Sequence, residues 1–152
     1  MSQVTLAAVL IQRKRTHSDA AGNLFSDYLD RLNHYTPADA LIFSSEYDIL
    51  TWLDRQAART PAYLVLLDSR GKQLSSEELA QTIGRLRNSG SQRLVFAVGP
   101  ANGWSDTARK RANLLLSFGR ITLPHQLARV VLAEQVYRAF TILTGHPYHS
   151  GH

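Results

Sequence analysis

Cysteine is absent from the 152 residues. That removes disulfide scaffolds, thiol nucleophiles and thiolate zinc sites together, and it suits a reducing compartment such as the cytoplasm. Long apolar runs are also missing. The opening stretch Met-Ser-Gln-Val-Thr-Leu-Ala-Ala-Val-Leu-Ile has no basic region before it and no spanning length behind it. It reads as a first strand, not as a signal peptide or membrane anchor. No internal repeat, low-complexity stretch or linker breaks the chain. With 44% hydrophobic and 19% charged residues, one domain over residues 1–152 can bury a core of its own. Two nucleotide signatures are missing as well. The glycines of Val98-Gly99-Pro100-Ala101-Asn102-Gly103 do not fit G-x-G-x-x-G, and no Gly-Lys-Ser/Thr follows, so a dinucleotide site or a P-loop finds little support.

What is present alternates. Residues 4–11, 40–43, 62–67 and 93–98 are short apolar or alternating runs of strand type. Between them lie helical stripes. Leu24, Phe25, Tyr28, Leu29 and Leu32 share one face, as do Ile49, Leu50, Trp52 and Leu53. Ser75 and Glu78 have the spacing of a capping box. Gly90 stands past the helix that follows, where a left-handed cap is expected. Ser105-Asp106 opens a further helix, expected to reach about Leu115. Strand-helix alternation predicts an α/β fold, a parallel-type sheet with helices on both faces. The runs Tyr63-Leu-Val-Leu-Leu67 and Leu94-Val-Phe-Ala-Val98 are apolar throughout, as parallel strands covered on both sides are.

Ligands of such sheets bind beyond the carboxyl ends of the strands. Asp68, Gly71 and Lys72 follow one strand there, and Gly99 to Gly103 another. Each has a plain alternative: Asp68 as a turn cap, Lys72 as a solvated turn residue, the glycines as an ordinary strand-to-helix turn. The segment from Leu116 to Pro124 either wraps a ligand with backbone groups or is a connection holding a fifth strand. Residues 13–23 read as a loop. The formal charge is +5, with clusters at Arg13-Lys14-Arg15, at Arg85, Arg87 and Arg93, and at Arg109-Lys110-Arg111. Such an excess fits either a polyanionic partner, through counterion release, or a solvated basic surface.

The C-terminal thirty residues carry most of the chemistry. A helix opened by Pro124 and spanning about 126–143 places Val130, Ala133, Val136, Tyr137, Phe140 and Leu143 on one stripe and Leu127, Val131 and Leu132 on another. Coverage this wide implies burial on more than one side, either in a core or against a partner subunit. Glu134 and Arg138 are spaced to pair. His146, Tyr148, His149 and His152 close the chain, with His125 at the helix start. Histidine and tyrosine suit proton transfer and stacking on unpaired bases. Without a carboxylate partner they make a poor metal set, and no metal is expected.

The stretch Thr122-Leu-Pro-His-Gln-Leu, then Arg129-Val-Val-Leu-Ala-Glu-Gln-Val-Tyr-Arg-Ala-Phe, then His146-Pro-Tyr-His149 resembles the C-terminal region of the 23S ribosomal RNA pseudouridine-N3 methyltransferases. These are small members of the SPOUT, or trefoil-knot, superfamily. The resemblance is close from residue 93 to 149 and looser upstream, where Leu67-Asp68 and Gly71-Lys72 match. It implies a deep C-terminal trefoil knot, a homodimer with the last helix in or near the interface, and a ribosomal RNA substrate. It implies S-adenosyl-L-methionine as methyl donor, held by Leu67, Gly99, Gly103 and the loop of Leu116, Ser117, Phe118, Gly119, Arg120 and Ile121. Two departures stand out: Val98 occupies the place of the first of the family's paired glycines, and residues 13–59 lack several of its basic and glycine positions. A ring imide nitrogen is a poor nucleophile until it loses its proton. His146, Tyr148 and His149 are therefore the candidate catalytic residues, with Arg138 or Arg120 to steady the charge. A SPOUT enzyme acting on another RNA, or an RNA-binding module without catalysis, remain the alternatives.

Overall fold

The computed structural model describes residues 2–10 and 19–150. Five parallel strands form one sheet: β1 (Gln3–Val9), β2 (Ala38–Phe43), β3 (Ala62–Gln73), β4 (Arg93–Val98) and β5 (Leu114–Ser117), in the order β2-β1-β4-β3-β5. The helices are α1 (Ala20–Leu32), α2 (Glu46–Ala57), α3 (Ser76–Asn88), α4 (Asp106–Arg111) and α5 (His125–Leu143), followed by a single 3-10 turn, η1 (Pro147–His149).

Strand alternation divides the core between the two faces. Val4, Leu6, Ala8, Leu94, Phe96 and Val98 point to the side covered by α1, α3 and α5. Ala7, Val9, Leu64, Leu66, Val95 and Ala97 point to the side where α2 packs with Trp104 and Ala108. Period-two patterning with both faces covered gives the continuous apolar runs seen in the sequence.

Local chemistry sets the helix ends. Ser75 accepts from the Glu78 amide at 3.0 Å and the Glu78 carboxylate accepts from the Ser75 amide at 2.9 Å, a complete capping box. Gly90 takes φ +90°, and the Ser91 amide closes back on the Leu86 carbonyl at 2.9 Å. Asp19 accepts from the Gly22 amide and starts α1, so residues 20–23, expected as loop, are helical. Residues 13–18 of that expected loop, with Arg13, Lys14 and Arg15, lie outside the described residues, as does the predicted strand end at Ile11.

The fourth helix is shorter than expected. It stops at Arg111, and residues 114–117 form the edge strand β5. Asn113 makes the switch. Its amide donates to the Leu64 carbonyl at 2.8 Å, and its side-chain oxygen accepts from the Leu64 amide at 2.7 Å. Three leucines then enter the ladder beside β3. A helical reading of this segment counted apolar residues that the sheet edge claims instead.

The partnership of β3 and β5 is unusual. Leu116 lies opposite Leu67 and again opposite Lys72. The ladder therefore skips residues 68–71, which arch beside the β5 backbone, and β3 resumes pairing with Gln73 opposite Ser117. From β5 the chain returns beneath the sheet as α5, packed between α1 and α3. The skipped segment of β3 lies hard against the β5 backbone. Gly71 is required there: a Cβ on it would lie 2.5 Å from the carbonyl carbon and oxygen of Leu115. Asp68 shapes the arch as a turn cap, accepting from the Arg70 amide at 2.8 Å, while its other oxygen takes Arg109 at 2.9 Å.

Gly71→Ala is expected to destabilise the fold by about 3 kcal/mol, the upper range for overpacking against atoms that cannot yield. Gly84→Ala, whose new methyl meets only the movable Cδ2 of Leu143 at 3.0 Å, should change stability by less than about 1 kcal/mol and gain helix propensity. Urea unfolding of the two variants side by side checks the contrast.

Candidate functional site

At the carboxyl rim of the sheet, beside the crossing, lies a cavity of about 290 Å³, near the lower limit for small-molecule clefts (~300–1,000 Å³). Its walls come from three directions. Gln73, Leu74 and Ser75 carry β3 into α3, with Leu79 one turn on. Leu116, Ser117, Phe118 and Gly119 leave β5. Val131 and Gln135 face in from α5. Ser117 folds the exit loop by accepting from the Gly119 amide at 3.0 Å, and Gly119 takes φ +108° with open space where a side chain would be. Only glycine adopts that backbone without strain.

The sequence-derived donor set is thus divided. Leu116, Ser117, Phe118 and Gly119 line the cavity. Leu67 is the register partner of Leu116 on the neighbouring strand and does not itself line the cavity. Arg120 and Ile121 follow on the exposed loop, with Ile121 80% exposed. Gly99 and Gly103 belong to the neighbouring β4 loop. There Gly99 backs onto the indole of Trp104, whose Cε2 lies 2.7 Å from where a Cβ would sit, and Trp104 donates to the Leu67 carbonyl at 3.0 Å. Gly103 closes the turn at φ +86°, its amide donating to the Pro100 carbonyl. His125 ties this loop to the start of α5, with its Nε2 2.6 Å from the Gly99 carbonyl. Sequence reasoning did not find Gln73, Leu74, Ser75, Leu79, Val131 or Gln135 as cavity walls. The capping box at Ser75 and the second stripe of α5 were the signals that placed their elements.

The tail is held down. Tyr148 donates to Glu134 at 2.7 Å, and its ring stacks edge-on against Tyr137 at 4.8 Å. Arg138 lies 4.8 Å over the same ring, pairs with Glu134 at 2.8 Å as its spacing predicts, and reaches His149 Nδ1 at 2.9 Å. His149 Nε2 meets the Glu77 carboxylate of α3. His146 is exposed, its Nδ1 accepting from the Tyr148 amide at 3.2 Å. The four predicted residues Arg138, His146, Tyr148 and His149 therefore share one corner of the molecule. Glu134 stands at its centre, and Glu77, which sequence reasoning did not single out, stands at its edge. The cavity adjoins this corner: Ser76 donates to Gln135 at 2.7 Å, and Gln135 donates to Glu134 at 2.8 Å. His152 lies outside the described residues, and among the described residues no three side chains cluster as metal ligands do.

These contacts shift the ionising groups. Burial, then the hydrogen bond to Glu134, raises the Tyr148 hydroxyl well above its ordinary 10.0, so it keeps its proton and donates a hydrogen bond at neutral pH. The bond to Glu134 raises Arg138 further. The hydrogen bond from His149 lowers the Glu77 carboxyl below its usual 4.5. Elsewhere the basic clusters are partly spent: Arg109 pairs with Asp68 and Asp106, Arg111 with Asp54, and Arg93 lies over Trp52.

A five-stranded parallel sheet, with a cavity between the exit of β5 and the link from β3 into α3, is the frame into which the sequence comparisons fit. Residues 6–149 match the family described as Predicted SPOUT methyltransferase, and the chain belongs to that family. Among individual relatives, it is 51% identical to the ribosomal RNA large subunit methyltransferase H of Koribacter versatilis over 138 residues, which is 91% of this chain and 94% of that protein. It is 58% identical over 86 residues to the protein of that name from Mesorhizobium japonicum, covering 57% of this chain and 54% of the other. Two solved structures share the fold at low identity. The SpoU methyltransferase AviRb of Streptomyces viridochromogenes superposes with a TM-score of 0.53 at 15% identity, over 95% of this chain and 61% of that one. A probable methylase family protein of Haemophilus influenzae gives 0.51 at 10% identity, over 98% and 70%.

The sign of each shift defines how the tail docking depends on pH. Glu77 is depressed, so its contribution is complete above pH 4.5 and is lost as pH falls through the lower folded value. Tyr148 is raised, so its contribution is complete below pH 10.0 and is lost as pH rises through the higher folded value. In an ultraviolet tyrosinate titration one of the six tyrosines should ionise late, and Tyr148→Phe should remove that late step. A titration without a late component contradicts the docked tail.

Proposed function

We propose that this chain transfers the methyl group of S-adenosyl-L-methionine to N3 of a pseudouridine in 23S ribosomal RNA. The observation that carries the reading is the backbone-walled cavity at the crossing, set directly against an anchored corner of Arg138, His146, Tyr148 and His149. The cavity suits a nucleoside donor. Leu74, Leu79, Leu116, Phe118 and Val131 offer apolar walls for a base, and the turn at Gly119 leaves room for close backbone approach. Gln135 and the backbone of residues 117–119 offer polar groups for hydroxyls, with Leu67 and the Gly99–Gly103 turn supporting the loop from behind and Arg120 and Ile121 continuing it.

When bound, the donor supplies a methyl group already activated by a positively charged sulfur. The protein's share is alignment and charge control. Arg138 is a permanent cation at the corner, placed to steady the anion that forms when the imide nitrogen gives up its proton. Tyr148 keeps its own proton and acts as a donor, not a base. His146 presents an exposed ring, and His149 a ring held on both sides. The chain acts as one methyltransferase domain and as a homodimer: Leu24 of α1 and Leu127 of α5 are 44% and 48% exposed, an apolar surface that a second copy would cover. The ribosomal substrate sets the cytoplasm as the place of action. No helix among the described residues is long and apolar enough to cross a membrane.

Two measurements test this reading. Mass spectrometry of large-subunit ribosomal RNA from cells lacking the protein should show one methylpseudouridine lost. Retention of every methylated position refutes the substrate, and loss from another RNA reassigns it. Calorimetry with S-adenosyl-L-methionine should show binding that Val131→Trp abolishes by filling the cavity. His149→Ala should lower turnover about 100-fold, the scale of one general acid-base group, with donor affinity unchanged; equal losses in both would remove His149 from the chemistry.

A further inference from the structure

The two nitrogens of His149 face opposite kinds of partner. Arg138 offers only N–H donors, so the Nδ1 atom 2.9 Å from its Nη1 must present a lone pair. Glu77 at neutral pH offers only acceptor oxygens, so Nε2 must carry the hydrogen. The two partners thereby select a single tautomer of the imidazole, between α3 and α5. The groups facing it are Glu77 from α3, Arg138 and, behind it, Glu134 from α5, with Tyr148 beside it in η1. The side chain of His149 is 19% exposed and that of Glu77 54%, so the carboxylate can be replaced without opening the core.

From this we infer that Glu77 is a positioning residue for methyl transfer: its carboxylate fixes His149 with Nε2 protonated, so that Nδ1 is the nitrogen that takes the imide proton. The inference rests on the methyltransferase reading above. As Arg138 turns from Nδ1 toward the imide oxygen, the lone pair it covered is released. The proton leaves N3 of the base for Nδ1, and the nitrogen's electron pair forms the bond to the methyl carbon. The carbon–sulfur pair stays with sulfur, and the positive charge that sulfur loses reappears on the imidazole ring. Glu77, across the ring, then balances that charge, as the buried carboxylate of a serine-protease triad does for its histidine.

The test combines spectroscopy and kinetics. Long-range proton–nitrogen NMR of the ¹⁵N-labelled, donor-free protein should show His149 as the Nε2–H tautomer, and Glu77→Gln should weaken that preference. An Nδ1–H or freely averaging ring in the unaltered protein overturns the inference, whatever the activity. With ribosomal substrate, Glu77→Gln should lower kcat about 10-fold while KM for the RNA and donor affinity hold. Glu77→Asp should recover most of the rate. An unchanged kcat in Glu77→Gln, with the unaltered enzyme active, overturns the inference and leaves the methyltransferase reading standing; an inactive unaltered enzyme strikes at that reading instead.

Discussion

Residues 68–71 lie so close to the β5 backbone that Leu116 is paired twice with β3, with Leu67 before the arch and Lys72 after it. This crossing depends on one residue without a side chain, since any Cβ at Gly71 would overlap the Leu115 carbonyl. The consequences reach well beyond the strand pair. Because β3 closes over β5, the loop leaving β5 is forced against the link from β3 into α3, and the space between them is the cavity. Because the chain continues from there beneath the sheet, α5 is driven between α1 and α3, and its far end delivers the tail to the same side of the molecule as the cavity.

A closed circuit of polar contacts then secures that corner. It runs from Ser76 to Gln135, to Glu134, to Arg138, to His149 and back to Glu77, the neighbour of Ser76. Two helices and the tail are joined, and Glu134 accepts from Gln135, Arg138 and Tyr148 at once. Half-buried ion pairs add little net stability, but losing one partner strands the other. The circuit therefore contributes more to specifying one arrangement of the tail than to the total stability. The aromatic packing of Tyr148 on Tyr137, itself in contact with Tyr28 and Tyr35, supplies the apolar half of the same anchor.

The parts of the site differ in how readily they could be read. The Glu134–Arg138 pair, the Ser75–Glu78 box and the cap at Gly90 depend on residues within five positions of one another, and all appear as spacing implied. The loop from Leu116 to Gly119 and the corner of Arg138, His146, Tyr148 and His149 were legible through family resemblance, which supplied positions that periodicity could not. Gly71 was weighed as part of a turn, and its reason lies 44 residues away in the backbone of Leu115. Glu77 gave no signal at all: in sequence it is one of two acidic residues opening a helix, suited to the helix dipole, and only the return of the tail gives it a partner.

Local and periodic information was written in the chain itself: strand runs apolar on both faces, helix stripes, caps and the α/β class, because each follows from neighbours a few residues apart and from the period of burial. The tertiary structure alone decided where α4 ends and β5 begins, since the pull of Leu64 on Asn113 and the open edge of β3 outweigh a modest helical pattern. It alone decided the shape of the cavity and the tautomer of His149. Both arise where segments distant in sequence are brought within hydrogen-bonding distance by the fold, and no local preference of those segments contains that distance.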